Sequence, residues 1–173
     1  MLQIGQFAPM FTGQAVLPDG SFTEISLADY RGQWLVLCFY PLDFTFVCPT
    51  ELRGFNQRYK EFRELSAEVV GVSVDSVYSH LAWIDHGLGK LLFPLLSDIT
   101  KQISRDYGVL DEDSGVAWRA TVIIDPEGKV RSLTVNDAAV GRWVEETLRL
   151  LQAYQTGDLC PCDWQPGEPT LGR

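Results

Sequence analysis

Residues 34–52 read WLVLCFYPLDFTFVCPTEL, and this stretch decides the fold. Trp34–Tyr40 has no charged position and no polar alternation. A strand of that kind is covered on both faces, as in the middle of a sheet packed between helices. Pro41 ends it, because proline brings no ladder hydrogen and restricts the residue before it. A helix then begins near Cys48, with Pro49 in its first turn, where a missing N–H costs nothing.

Outward from this junction, strand and helix patterns alternate. Glu68–Val74 is a second strand apolar on both faces, and Leu95–Ser97 a short third. Phe11–Ile25 reads as a hairpin turning at Pro18-Asp19-Gly20, and Ser26–Tyr30 as a short capped helix. Helical spacing covers Phe55–Leu65, Ser76–Asp85, Lys101–Tyr107 and, most strongly, Gly141–Tyr154. Arg119–Ile124 and Val130–Val135 flank Asp125-Pro126-Glu127-Gly128, which predicts a late hairpin. The pattern predicts an α/β fold: a three-layer α/β/α sandwich with a mixed central sheet and an N-terminal hairpin. One domain is expected over 1–155. Residues 156–173, with three Gly and three Pro, read as an extended tail.

Composition narrows the function. The 173 residues are 46% hydrophobic and 21% charged, as expected for a globular domain with its own core. Fourteen basic residues face 23 acidic ones, for a net charge of −9 and no basic run. A phosphate backbone needs a basic footprint, so nucleic acid is not an expected partner. No run approaches the roughly 18 apolar residues of a membrane span. MLQIGQFAPMF has no basic n-region and breaks at Pro9, so it does not read as a signal peptide, and a cytoplasmic location is expected.

The chemistry centres on Cys48. At the start of a helix, unpaired amides and the helix dipole favour an anion. Such settings lower a cysteine pKa from about 8.5 to between roughly 3.5 and 7.5. A drop to about 6 would leave roughly 90% ionised at neutral pH and needs about 3.4 kcal/mol of preferential stabilisation of the thiolate. A helix terminus supplies about 1 to 2 kcal/mol. A cation must add the rest, and arginine suits best because it stays charged and donates a planar fork. Thr45 lies three residues before Cys48, where its hydroxyl can reach the same sulfur.

With these residues placed, the motif Pro41-x-x-x-Thr45-x-x-Cys48 resembles the peroxiredoxin active-site motif. FYPLDFTFVCPTE at 39–51, HLAWI at 80–84, DYGVL at 106–110, TVND at 134–137 and ETLRLLQAYQ at 146–155 are similar to the typical two-cysteine subgroup, the alkyl hydroperoxide reductase C group. The resemblance implies a thioredoxin-like fold and a thiol peroxidase acting on hydrogen peroxide and alkyl hydroperoxides without a metal or organic cofactor. Cys48 would be the peroxidatic cysteine, Thr45 its hydrogen-bond partner, Pro41 the residue that shields the pocket and fixes the loop. Arg119 would aim at the sulfur, and Glu51 would orient the arginine network. Read without the resemblance, Arg119 is a strand arginine in an ion pair and Glu51 a first-turn carboxylate on a helix dipole.

The resemblance also assigns Cys160, in LCP at 159–161, as the resolving cysteine of a partner subunit. Recycling would come from an external thioredoxin-like or flavoprotein disulfide reductant. A homodimer is implied, able to assemble into a ring of five dimers. Cys162 departs from the subgroup pattern, and three readings stay open: a bystander, a second resolving or shuttling thiol, or half of a metal pair. Only His80 and His86 could join such a pair, and His80, beside Leu81 and Trp83, reads as packed or capping. Cys38, mid-strand, reads as a core residue. His86 stands where peroxide-sensitive relatives have the first Gly of Gly-Gly-Leu-Gly, and the chain ends at Arg173 without their Tyr-Phe helix. Resistance to over-oxidation is therefore expected.

Other classes make different demands. A thiol–disulfide oxidoreductase on this fold would carry Cys-x-x-Cys, but Cys48 is followed by Pro49-Thr50-Glu51. A cysteine–histidine hydrolase needs a histidine poised at Cys48, and neither histidine has that claim. A holdase chaperone would suppress aggregation even without Cys48.

Overall fold

The computed structural model describes residues 2–173. The element order is β1 (Thr12–Val16), β2 (Phe22–Ser26), a 3₁₀ turn (Leu27–Tyr30), β3 (Trp34–Phe39), α1 (Cys48–Gln57), α2 (Tyr59–Glu64), β4 (Ala67–Ser73), α3 (Val77–Trp83), a π-helical turn (Ile84–Leu88), β5 (Leu95–Ser97), α4 (Gln102–Asp106), β6 (Leu110–Asp111), β7 (Val116–Ala117), β8 (Arg119–Ile124), β9 (Val130–Asn136) and α5 (Val144–Thr156). Seven strands form one sheet in the order β2-β1-β5-β4-β3-β8-β9. β3 and β4 are parallel, as are β4 and β5, while β3–β8 and β8–β9 are antiparallel. The sheet is therefore mixed, with β3 near its centre.

The two-sided reading of Trp34–Tyr40 has a direct physical outcome. Leu35, Leu37 and Phe39 enter one core with Phe11, Leu27, Ile103 and Tyr107. Val36, Cys38 and Tyr40 enter the other with Cys48, Leu52, Phe55, Phe62, Trp83, Leu148 and Leu151. The period of two along a strand sorts them. Helices α1, α2, α3 and α5 thus cover one face, and α4 with the N-terminal segments covers the other. Each such buried side chain contributes about 1.5–3 kcal/mol. Gly71 of β4 marks the closest approach. A Cβ there would meet Leu95 at 2.6 Å and lie 3.4 Å from Leu52, so its absence lets α1 settle onto the sheet.

Three local features differ from the sequence reading. The helical run 55–65 breaks at Arg58, where bonding tightens to the i−3 carbonyl and α2 turns so that Phe62 packs on Phe55 at 5.8 Å. The last helix starts at Val144, not Gly141, because Trp143 is still extended. The tail lacks helix and strand, yet it does not run free. It doubles back, with Leu159 and Leu171 pairing through Leu159 N–H to Gly172 O (2.9 Å) and Leu171 N–H to Leu159 O (2.8 Å). Trp164 is buried, donates to Glu168 O (3.0 Å), and its own carbonyl accepts from Arg149 of α5. One large aromatic side chain gives this Gly- and Pro-rich segment a core to fold onto.

Candidate active site

Cys48 is the first residue of α1 and is fully buried. Val47 precedes the helix without a side-chain cap, and its carbonyl accepts the first helical bonds from Thr50 and Glu51. Glu51, one turn along, therefore projects beside Cys48. Arg119 enters from the start of β8, the strand that pairs antiparallel beside β3. Its Nη1 donates to Cys48 Sγ at 3.3 Å and to Glu51 Oε2 at 2.8 Å, while Nε donates to Ala138 O at 2.7 Å. The guanidinium is only 5% exposed, so it is held and dry rather than a surface arginine.

A second arginine completes the cluster. Arg142 Nε and backbone N–H both donate to Glu51 Oε1 at 2.9 Å, and Nη2 donates to Oε2 at 2.9 Å. Nη1 reaches Ala120 O at 2.7 Å on β8. Burial would raise the Glu51 pKa, but the hydrogen bonds and charge of Arg142, followed by the charge of Arg119, outweigh it and hold the carboxyl below its ordinary range. Two guanidiniums thus face one carboxylate. The site carries one positive charge more than it balances, and the nearest remaining acceptor is the Cys48 sulfur.

The sequence reading missed Arg142. It lay inside the stretch 141–154, read as helix, where an arginine is a solvated side chain. Because the helix starts three residues later, Arg142 sits in the turn before it and points inward. Nothing in sequence spacing ties positions 51 and 142; only the packing of α5 beside α1 does.

The other expected residues are placed as follows. Pro41 is buried at the end of β3. Thr45 is half-buried in the loop before Cys48, and its hydroxyl donates to Leu42 O at 2.9 Å rather than to the sulfur. That bond closes the 42–45 turn and leaves the oxygen's lone pairs for an incoming group. Cys160 is half-buried at the far end of α5, its sulfur 3.6 Å from Thr156 Oγ1 and 3.7 Å from Ala153 O. Among the described residues nothing joins it to Cys48, and all four cysteines are unpaired. Cys162 is exposed. Cys38 is buried, and burial pushes its thiol up to about 12, so it stays protonated. His80 is buried and bonded, as read.

A cavity of about 300 Å³ beside the arginine cluster is lined by Thr50, Glu51 and Arg142. A cavity of about 440 Å³ lies elsewhere, between α5 and the tail, lined by Glu146, Arg149 and Asp163. No helix among the described residues is long and apolar enough to cross a membrane.

The AhpC/TSA family pattern matches residues 4–133. The chain is 52% identical to Peroxiredoxin-1 of Gekko japonicus, over 97% of this chain and 89% of that protein. It is 56% identical to the mitochondrial thioredoxin-dependent peroxide reductase of Mus musculus, over 97% and 68% respectively. Its fold superposes on the reduced 2-Cys peroxiredoxin of Plasmodium vivax with a TM-score of 0.94 at 46% identity, covering 96% of this chain and 91% of that one. Against AhpC of Enterococcus faecalis the TM-score is 0.88 at 44% identity, covering 93% and 100%. With a buried cysteine at a helix start under a fixed arginine, on the same thioredoxin-like fold, the chain belongs to the AhpC/TSA family and is a peroxiredoxin, a thiol peroxidase.

Proposed function

We propose that Cys48 is the peroxidatic cysteine and that it reduces hydrogen peroxide and alkyl hydroperoxides. The observation that carries this reading is the 3.3 Å contact from Arg119 Nη1 to the Cys48 sulfur inside a buried site. The Cys48 thiolate attacks the nearer peroxide oxygen. A sulfur–oxygen bond forms, the O–O bond breaks, and the distal oxygen leaves as alkoxide or hydroxide and takes a proton. Peroxide is reduced to alcohol or water, and the sulfur becomes a sulfenic acid. In this reading Arg119 stabilises the negative charge developing along the O–O axis, and the Thr45 hydroxyl, its hydrogen bonded to Leu42 O, accepts the peroxide's hydrogen. Glu51 and Arg142 hold Arg119 in place, and Pro41 walls the pocket.

The Cys160 thiol of a partner subunit then displaces hydroxide from the sulfenic sulfur. This forms an intersubunit disulfide and releases water. An external dithiol, of the thioredoxin type or delivered by a flavoprotein, reduces that disulfide. The working unit is a homodimer, able to build a ring of five, and the location is cytoplasmic. The sequence similarity to a protein named thioredoxin-dependent peroxide reductase supports the choice of reductant.

Peroxide consumption with a dithiol reductant, for the parent protein and Cys48→Ser, tests the assignment. Loss of turnover to the uncatalysed rate is expected. Turnover surviving in Cys48→Ser would overturn it.

A further inference from the structure

The loop between β3 and α1 carries Cys48 at its end, and one carboxylate ties that loop to the body of the protein. Asp43 is buried. Its Oδ1 accepts from the Tyr40 hydroxyl at 2.7 Å, and its Oδ2 accepts from Ser79 Oγ at 2.8 Å and faces His80 Nδ1 at 2.8 Å. Its backbone N–H donates to Asp75 Oδ2 at 2.9 Å, a carboxylate itself fixed by Ser73 Oγ at 2.6 Å. The opposite nitrogen of His80, Nε2, faces Leu96 O at 3.3 Å on β5. Burial, then the charge of Asp43, pushes the Tyr40 phenol well above its ordinary pKa, which keeps it a donor. Four groups, from the residue after β3, the segment after β4 and α3, thus converge on Asp43.

The next residue is under strain. Phe44 sits at φ 57°, a left-handed conformation that a bulky side chain adopts at a cost. Its ring is 57% exposed and meets Trp83 at 6.1 Å, so little packing offsets that cost. Something else must hold the turn, and the bonds to Asp43 are adjacent to it. On the other side of the loop lies Cys48, fully buried, which no second thiol can reach unless the loop opens.

We infer that Asp43 and His80 are positioning residues that latch the Cys48 loop closed, and that the strength of this latch sets how fast Cys48 becomes reachable by a second thiol. The inference rests on the reading of Cys48 as the reacting thiol. A weak latch shortens the time a sulfenic acid spends in the pocket. A strong one keeps the peroxide site assembled.

The two nitrogens of His80 provide the test. Asparagine places an amide N–H where Nδ1 was, so His80→Asn keeps the bond to Asp43. Glutamine reaches to the Nε2 position, so His80→Gln keeps the bond to Leu96 O instead. Amide hydrogen exchange over residues 42–48 would be measured in the reduced full-length protein. Loss of a bond to a charged acceptor speeds opening by roughly tenfold or more. His80→Gln should exchange at least about tenfold faster than the parent, and His80→Asn within about threefold of it. Ser79→Ala, a milder change at a half-buried position, should lie between them. Equal rates in all four proteins, or faster exchange in Asn than in Gln, would overturn the latch, since a purely packing role for His80 on β5 predicts the second result. The same proteins given one equivalent of hydrogen peroxide separate the two readings. Faster disulfide formation in His80→Gln supports both. The predicted exchange pattern with Cys48 left unoxidised in every protein leaves the latch standing and removes the reading of Cys48 as the reacting thiol.

Discussion

Arg142 grips both carboxylate oxygens of Glu51, Nε to Oε1 and Nη2 to Oε2, each at 2.9 Å, with both side chains almost wholly buried. Glu51 in turn spends Oε2 on Arg119, whose remaining reach is the Cys48 sulfur. The three residues act as a chain in which the outermost member fixes the group that touches the reacting atom.

Arg142→Lys should therefore slow the reaction with peroxide although Arg142 does not touch the sulfur. Lysine keeps the charge but cannot reproduce the fork. A fall in kcat/KM for hydrogen peroxide of about tenfold to a hundredfold is expected by stopped-flow, a misplacement effect on the scale of a positioning residue. Arg142→Met should cost about 1.5–3 kcal/mol in chemical denaturation, because it removes the charge-assisted bonds on Glu51 Oε1 while the carboxylate keeps its pairing with Arg119.

Acid should weaken the fold through Glu51. Its folded pKa lies below the unfolded value of about 4.3, so its contribution is fully present above that value and is lost as pH falls through the folded pKa. Denaturation midpoints should decline below about pH 5, and Glu51→Gln should flatten that slope while lowering stability near neutrality. An unchanged slope in the variant would place the acid sensitivity elsewhere.

Arg119→Met should reduce kcat/KM for peroxide by about 10² to 10³-fold, the loss typical of a preorganised donor aimed at developing charge. Arg119→Lys should recover only part of it, since Nε also holds Ala138 O. Comparable losses for hydrogen peroxide and a small alkyl hydroperoxide would follow, because the arginine acts on the O–O bond that both share.

Cys38 should be silent. Burial holds its thiol at about 12, and no path leads to it. Alkylation of the native reduced protein, mapped by peptide mass, should label Cys162 and Cys160 and leave Cys38 untouched until the chain is unfolded. Modification of Cys38 on the timescale of Cys162 would contradict its placement.

Much of this was legible because the informative residues are local. The unbroken apolar run 34–40, the helix-starting Cys48-Pro49 and the Asp125–Gly128 turn are each decided within a few residues of chain, where period and proline geometry govern. Arg142 and the bonds of Asp43 were not legible for the opposite reason. Each owes its role to a partner 91 or 37 positions away, Glu51 and His80, brought close by the packing of helices and loops over the sheet. The tail was misjudged in degree for a related reason. Its Gly and Pro content argues for extension, and a single tryptophan seated against α5 bends it back.

The most direct test is intact mass under denaturing, non-reducing conditions after one equivalent of hydrogen peroxide, for the parent protein beside Cys48→Ser and Cys160→Ser. A covalent dimer in the parent, absent from both variants, is the predicted result. A monomer carrying one added oxygen at Cys48 in the parent would contradict the Cys160 step, and an unmodified Cys48 would contradict the assignment of the reacting thiol itself.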